Sequence, residues 1–133
     1  MFSHTIIATE QPKQVIDVTD AAVNLLKERG DGLAFYYLPH TTATLLMSED
    51  DAELRADLIQ VATRWLKGCG PFQHIKKNNP NTEAHVLSSM GGHGVTVAVK
   101  GGKLDLGEYQ KLLLLELDGP KKRELRLCYI PAR

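Results

Sequence analysis

Three of the five histidines, His40, His74 and His85, lie where their neighbours predict loops or element ends. His40 sits between Pro39 and Thr41-Thr42, His74 in a stretch rich in Pro, Gly and Asn, and His85 in the opening turns of a short helix. A neutral imidazole gives a lone pair to a cation, and three converging rings with one open position describe a catalytic zinc-type centre. No local spacing fixes such a centre, because neither an H-E-x-x-H nor a C-x-x-C is present, so surface and helix-cap roles stay open beside the metal reading. Carboxylates cluster at Glu49, Asp50, Asp51, Glu53 and Asp57, directly after a predicted strand. Acidic residues in the first turn of a helix offset its positive end, which accounts for Asp50, Asp51 and Glu53. Glu49, at the end of the strand, is the one placed to act as acid or base beside His40. Gly91-Gly92-His93-Gly94 follows a helix instead of preceding one, so it reads as a flexible connection and not a phosphate cradle. Lys121-Lys122-Arg123 forms a small cationic patch with two readings, a phosphate holder or a solvated hairpin tip.

Helical periodicity is strongest from about Asp50 to Lys67, where Leu54, Leu58, Val61, Ala62 and Trp65 recur at spacings of three and four and predict one face laid on a sheet. Ser48 with Asp51 marks its start and Gly68 and Gly70 its end. A second helix is expected over Asp20 to Arg29 with Thr19 as its cap, and a short third over Thr82 to Ser89 capped by Asn81. Strands are expected at Phe2 to Thr9, Gln14 to Val18, Leu33 to Leu38, Thr42 to Met47, Val95 to Val99, Tyr109 to Leu117 and Glu124 to Ile130. The run Leu112 to Leu115 is apolar on both faces, which predicts a central strand covered by helices on one side and by another subunit on the other. Gly101-Gly102 suits a tight hairpin, and Asp118-Gly119-Pro120 joins the last two strands. Runs of strands with helices inserted imply an α+β fold of mostly antiparallel sheet with two main helices.

With 133 residues the chain suits one domain, residues 1–133. Hydrophobic residues at 43% and charged residues at 24% exclude global disorder. Sixteen basic residues balance sixteen acidic ones, which removes any broad electrostatic reason for a nucleic-acid partner. No apolar run approaches the roughly 20 residues that cross a bilayer, and the N-terminus lacks a signal-peptide pattern. Cys69 and Cys128 stand far apart and read as free thiols in a cytoplasmic protein.

Four motifs in order along nearly the whole chain resemble the YjbQ family of small proteins. They are Pro39-His40-Thr41-Thr42-Ala43-Thr44, the stretch Asn81-Thr82-Glu83-Ala84-His85-Val86-Leu87-Ser88-Ser89-Met90-Gly91, Leu106-Gly107-Glu108-Tyr109-Gln110, and Glu116-Leu117-Asp118-Gly119-Pro120. The resemblance implies an α+β fold assembled as a homotrimer, a histidine cluster holding a divalent metal, and thiamine-phosphate synthase activity. It places the family's H-T-[TS]-A histidine on His40, the histidine before the short helix on His74, and the A-H histidine on His85. The family's asparagine-glutamate is Ser48-Glu49 here, the aspartate of the long helix is Asp57, and its W-Q is Tyr109-Gln110. Its acidic residues after the second histidine are replaced by Ile75-Lys76-Lys77-Asn78. Either an acidic partner is lost there, or the loop suits a more anionic ligand.

Together these readings give an expected enzyme joining a pyrimidine pyrophosphate to a thiazole phosphate. His40, His74 and His85 would hold zinc or magnesium, and Glu49 would be the base or the partner of a metal-bound water. Thr41, Ser88, Ser89 and Gln110 would orient the small phosphorylated substrate. The alternatives are a metal-dependent hydrolase, and a binding module for a metal or phosphometabolite that turns nothing over.

Overall fold

The computed structural model describes residues 1–74 and 80–133. The lysine-bearing departure at Ile75-Lys76-Lys77-Asn78 lies outside them. In chain order the elements are β1 (Phe2–Ala8), β2 (Gln14–Asp17), α1 (Thr19–Leu26), β3 (Gly32–Tyr37), β4 (Ala43–Ser48), α2 (Ala52–Arg64), α3 (Thr82–Gly91), β5 (Gly94–Lys100), β6 (Lys103–Leu104), β7 (Lys111–Glu116) and β8 (Lys122–Pro131). The strands form two sheets, a five-stranded one in the order β1-β8-β3-β5-β6 and a three-stranded one in the order β2-β7-β4. Every pairing is antiparallel, so the α+β expectation holds.

The two sheets face each other, and β7 shows why. Leu112 and Leu114 enter a core shared with Ala34, Tyr36, Val97, Leu125 and Leu127 of the large sheet, with Ala22 and Leu26 of α1 filling one side. Leu113 and Leu115 point the other way, into a second core with Ala62 of α2, Leu66 just after it, and Ala84 and Leu87 on α3. Alternation at period two thus gives β7 two buried faces. The strand is central, as its leucines predict, but the chain covers both faces itself, and the expected subunit cover is not needed there.

Three boundary expectations change for local reasons. The long helix begins later, because the Asp51 side chain accepts a hydrogen bond from the Leu54 amide at 2.7 Å and so caps it in place of Ser48. Asp50 is not a free dipole partner, since both its oxygens receive Arg55, whose Nη1 also donates to the Val15 carbonyl and ties α2 to β2. The buried face of the helix falls on Leu58, Ile59, Ala62 and Leu66, whereas Val61 and Trp65 are more than half exposed. Thr19 opens α1 without capping it, and its hydroxyl accepts from the Leu112 amide instead. Asn81 likewise precedes α3 without a side-chain cap and gives its amide to Asp118 at 3.1 Å.

The hairpin at Gly101-Gly102 is present, with both glycines at positive φ between paired Lys100 and Lys103. The turn at Asp118-Gly119-Pro120 does something else. It carries the chain from β7 in the small sheet to β8 in the large one, so the last two strands are not hydrogen-bonded neighbours. Arg123 is correspondingly no solvated tip residue. It is 3% exposed, facing Glu116 at 0%, and its Nε donates to Glu116 Oε2 at 2.8 Å while Nη2 reaches Oε1. Lys121 alone of the basic trio meets the turn, donating to Asp118 at 2.6 Å.

Burial by itself would raise the Glu116 carboxyl, but hydrogen bonds from Arg123, the Asp118 amide and Thr9 outweigh it and hold the group below the usual carboxylate value of 4.5. A depressed carboxyl contributes stability that is present above its unfolded pKa and lost as pH falls through the folded value. Acid unfolding should therefore steepen below about pH 4.5 and lose that component in Glu116→Gln. Removing one partner leaves an uncompensated buried charge, so Arg123→Met should cost about 3–5 kcal/mol in urea unfolding, and the double variant Glu116→Leu with Arg123→Met should recover much of it. Additive losses in that double variant would contradict the pairing.

Candidate functional site

The segment between β3 and β4, one side of α3 from His85 onward and the turn before β5 meet around an open cleft of about 460 Å³. Its walls carry His40, Thr41, His85, Ser88, Ser89 and His93. The cleft is assembled from two stretches of chain far apart in sequence, 38–41 and 85–93, and antiparallel register explains the convergence. Tyr37 pairs with Gly94, which puts the residues after β3 beside the residues before β5. Leu38 continues the pairing by donating to the His93 carbonyl at 2.8 Å.

Helix α3 is held against β4 by two hydroxyls. Ser88, 5% exposed, donates to the Ala43 carbonyl at 2.6 Å, and the Thr44 hydroxyl donates to the Gly92 carbonyl. Approach is tight enough that a Cβ at Gly91 would come within 2.7 Å of the Thr44 Oγ1. The Ser89 hydroxyl donates to the Val86 carbonyl at 2.8 Å. Both serines predicted to orient substrate thus line the cleft, with their hydroxyl hydrogens committed to backbone carbonyls.

His40 is half-buried, and its Nε2 accepts the Glu124 amide at 2.8 Å. Burial and then the nearby Arg123 guanidinium push it below the ordinary imidazole value of 6.5, so it is neutral at physiological pH. His85 faces the same cleft, and His74 stands edge-to-face against it with ring centroids 5.1 Å apart. Two of the three predicted histidines, His40 and His85, thus share the cleft, and the third, His74, packs against His85. His93 also lines the wall, its ring edge-on to Phe35 at 6.3 Å. Its glycine-rich surroundings read as a flexible link in sequence; the only available signal was the histidine itself.

A metal centre needs several lone pairs directed at one point. Among the described residues no three His, Cys, Asp or Glu side chains group closely enough to hold a metal ion, and Nε2 of His40 is already engaged by Glu124. The residues as placed do not fit the three-histidine centre.

Two other predicted residues lie elsewhere. Glu49 is exposed beyond the far end of β4, and six strand residues at about 3.3 Å each separate it from His40 by roughly 20 Å. Gln110 shares that far end, because Ser48 pairs with Lys111, and its side chain closes a local turn by accepting the Gly107 amide at 2.8 Å. The expected strand between them is present as β4, and the histidine and the carboxylate flank its opposite ends. Asp57 is exposed on α2 and does not line the cleft.

A family model described as UPF0047 protein YjbQ-like matches residues 3–132. A UPF0047 protein of Archaeoglobus fulgidus is 33% identical over 119 residues, covering 90% of this chain and 93% of the relative. The UPF0047 protein YugU of Bacillus subtilis is 34% identical over 129 residues, covering 93% and 92%. Among solved structures, a hypothetical protein of Aeropyrum pernix K1 superposes with a TM-score of 0.91 at 31% identity over 99% of both chains. A YjbQ/UPF0047-family protein of Clostridium acetobutylicum does so with a TM-score of 0.87 at 27% identity, covering 96% of this chain and 99% of that one.

The His40 environment makes a titration prediction. Its NMR midpoint should fall below 6.5, and because the unfolded chain binds the proton more readily, stability should decline as pH drops from 6.5 to that midpoint. A midpoint above 6.5 would contradict the burial argument.

Proposed function

Because the chain belongs to the YjbQ-like UPF0047 family, we propose that it is an enzyme acting on a small phosphorylated metabolite in the cleft lined by His40, His85 and His93. The observation that carries this reading is the meeting of three imidazoles in one solvent-open cleft, His40 from the segment before β4 and His85 and His93 from α3 and the turn that follows it. Imidazoles suit the work, because a ring that titrates near neutrality can give or take a proton at the reacting oxygen.

The specific reaction proposed is thiamine-phosphate synthesis, in which a pyrimidine pyrophosphate and a thiazole phosphate join and pyrophosphate leaves. His85 and His93 would meet the departing anion, Thr41 at the rim would add a hydroxyl, and Ser88 and Ser89 would shape the wall and offer oxygen acceptors. Zinc or magnesium stays outside this scheme, since the described residues do not assemble its ligands. The second reading, a metal-dependent hydrolase or a non-catalytic binding module, would share the cleft without this transfer.

The test is turnover. Purified protein incubated with the two thiamine precursors should release thiamine phosphate and pyrophosphate in equal amounts, and His85→Ala should lower the rate by about 10²–10⁴-fold with an unchanged circular dichroism spectrum. Activity only on simple phosphoesters favours the hydrolase, and phosphate binding without any turnover favours the module.

The homotrimer is proposed on a face other than the leucine strand. The outer side of the large sheet carries Phe2 and Phe35 across from Cys128, and Leu33 across from Ile130. Phe2, Leu33 and Ile130 are each about half or more exposed. An apolar face of this kind marks an interaction surface. Light scattering should give three times 14.7 kDa, and Phe35→Lys with Ile130→Lys should give the single mass.

A further inference from the structure

We propose that His40 is an N–H donor to the cleft through Nδ1, and that it binds a phosphoryl oxygen of the ligand rather than a metal ion. The inference rests on the phosphorylated-metabolite reading above and sharpens it to one atom. A neutral imidazole has one protonated and one unprotonated nitrogen, and the partner of one fixes the state of the other. The Glu124 amide hydrogen points at Nε2 at 2.8 Å, so Nε2 holds the lone pair and the ring hydrogen is on Nδ1. The amide is not free to move away. Glu124 is the middle of a ladder in which its neighbours pair with β1, Ile6 lies opposite it, and the adjacent Arg123 is locked to Glu116 and Thr42.

Several donors of the cleft wall are already engaged within the chain. The Ser88 and Ser89 hydroxyls give their hydrogens to the Ala43 and Val86 carbonyls, and the Gly92 amide gives its hydrogen to the Ser88 carbonyl. A ligand oxygen entering here meets the Nδ1–H of His40 as a fixed donor, with the Thr41 hydroxyl beside it. A metal ion meets no lone pair on this ring, because metalation at Nδ1 requires the hydrogen to move to Nε2, where it would face the Glu124 N–H. A phosphoryl oxygen is the acceptor that matches, since charge-assisted hydrogen bonds to it are short and strong.

Long-range proton–nitrogen NMR of the full chain carrying 15N-histidine tests this without any turnover. At pH 8, His40 should show a protonated Nδ1 and an unprotonated Nε2, and inorganic phosphate should shift the Nδ1 proton signal. His40→Gln, whose side-chain oxygen still accepts from Glu124 but which has no donor at the Nδ1 position, should weaken phosphate binding by about tenfold or more. An Nε2-protonated ring, no response of His40 to tens of millimolar phosphate, or loss of its Nδ1 proton on adding zinc chloride would each overturn the proposal. Absence of thiamine-phosphate synthesis would leave these signals unchanged, so failure of the reaction and failure of this assignment are distinguishable.

Discussion

The ion pair between Arg123 and Glu116 joins the two sheets, and the histidine cleft is built on what it holds in place. Glu116 ends β7 in the small sheet and Arg123 lies near the start of β8 in the large one. The carboxylate also accepts the Leu117 and Asp118 amides and the Thr9 hydroxyl, and the guanidinium donates to both oxygens of Thr42. A buried pair of charges is tolerated only when nearly every remaining donor and acceptor is matched, and this network meets that condition. Its reach explains why: Thr42 follows Thr41 and His40, and Glu124 follows Arg123. Both sides of the contact between His40 and the Glu124 amide are therefore anchored within two residues of the same guanidinium.

The packing places rigidity where the cleft needs it. Its floor consists of strand ends and of a helix face pinned by Ser88 and Thr44, so the imidazoles project from supported backbone although they stand near loops. The electrostatics agree with that arrangement. Burial and then the charge of Arg123 keep the His40 ring neutral, and among the described residues lining the cleft there is no carboxylate. The acidic residues that the sequence clusters after β4 serve the opposite end of the strand, where Asp51 caps α2 and Asp50 binds Arg55.

The fold was legible in sequence because alternation and periodicity are local signals. Strands such as Val95 to Val99 and Glu124 to Ile130, and the two-sided burial of Leu112 to Leu115, follow from side-chain period alone. What covers a face is not local. Val61 and Trp65 fit the helical spacing of α2 but lie outside its buried stripe, and the second cover of β7 proved to be α2 and α3. The site was legible in part for the same reason. His40, His85, Thr41, Ser88 and Ser89 do share a cleft, yet Glu49, expected there from the end of the strand, and Gln110, expected there from the family resemblance, stand at the other end of β4, a separation set by strand length that no local pattern shows. Arg123 illustrates the remaining limit: three basic residues after a turn look solvent-exposed until the turn is seen to cross between sheets.

The central place of β7 has a consequence for how the chain reaches its native state. Both of its neighbours precede it, Gln14 pairing with Glu116 and Ser48 with Lys111, so β2 and β4 have no hydrogen-bonded strand between them until the last quarter of the chain is available. A fragment ending before Lys111 keeps two apolar edges open and lacks the leucines that both cores enclose. Pairings so distant in sequence must meet the entropy of closing long loops before any burial rewards them, which makes assembly of the small sheet the slow, late event. Nascent or clipped chains then present β4 as an unguarded edge, the kind of surface that chaperones and aggregation compete for.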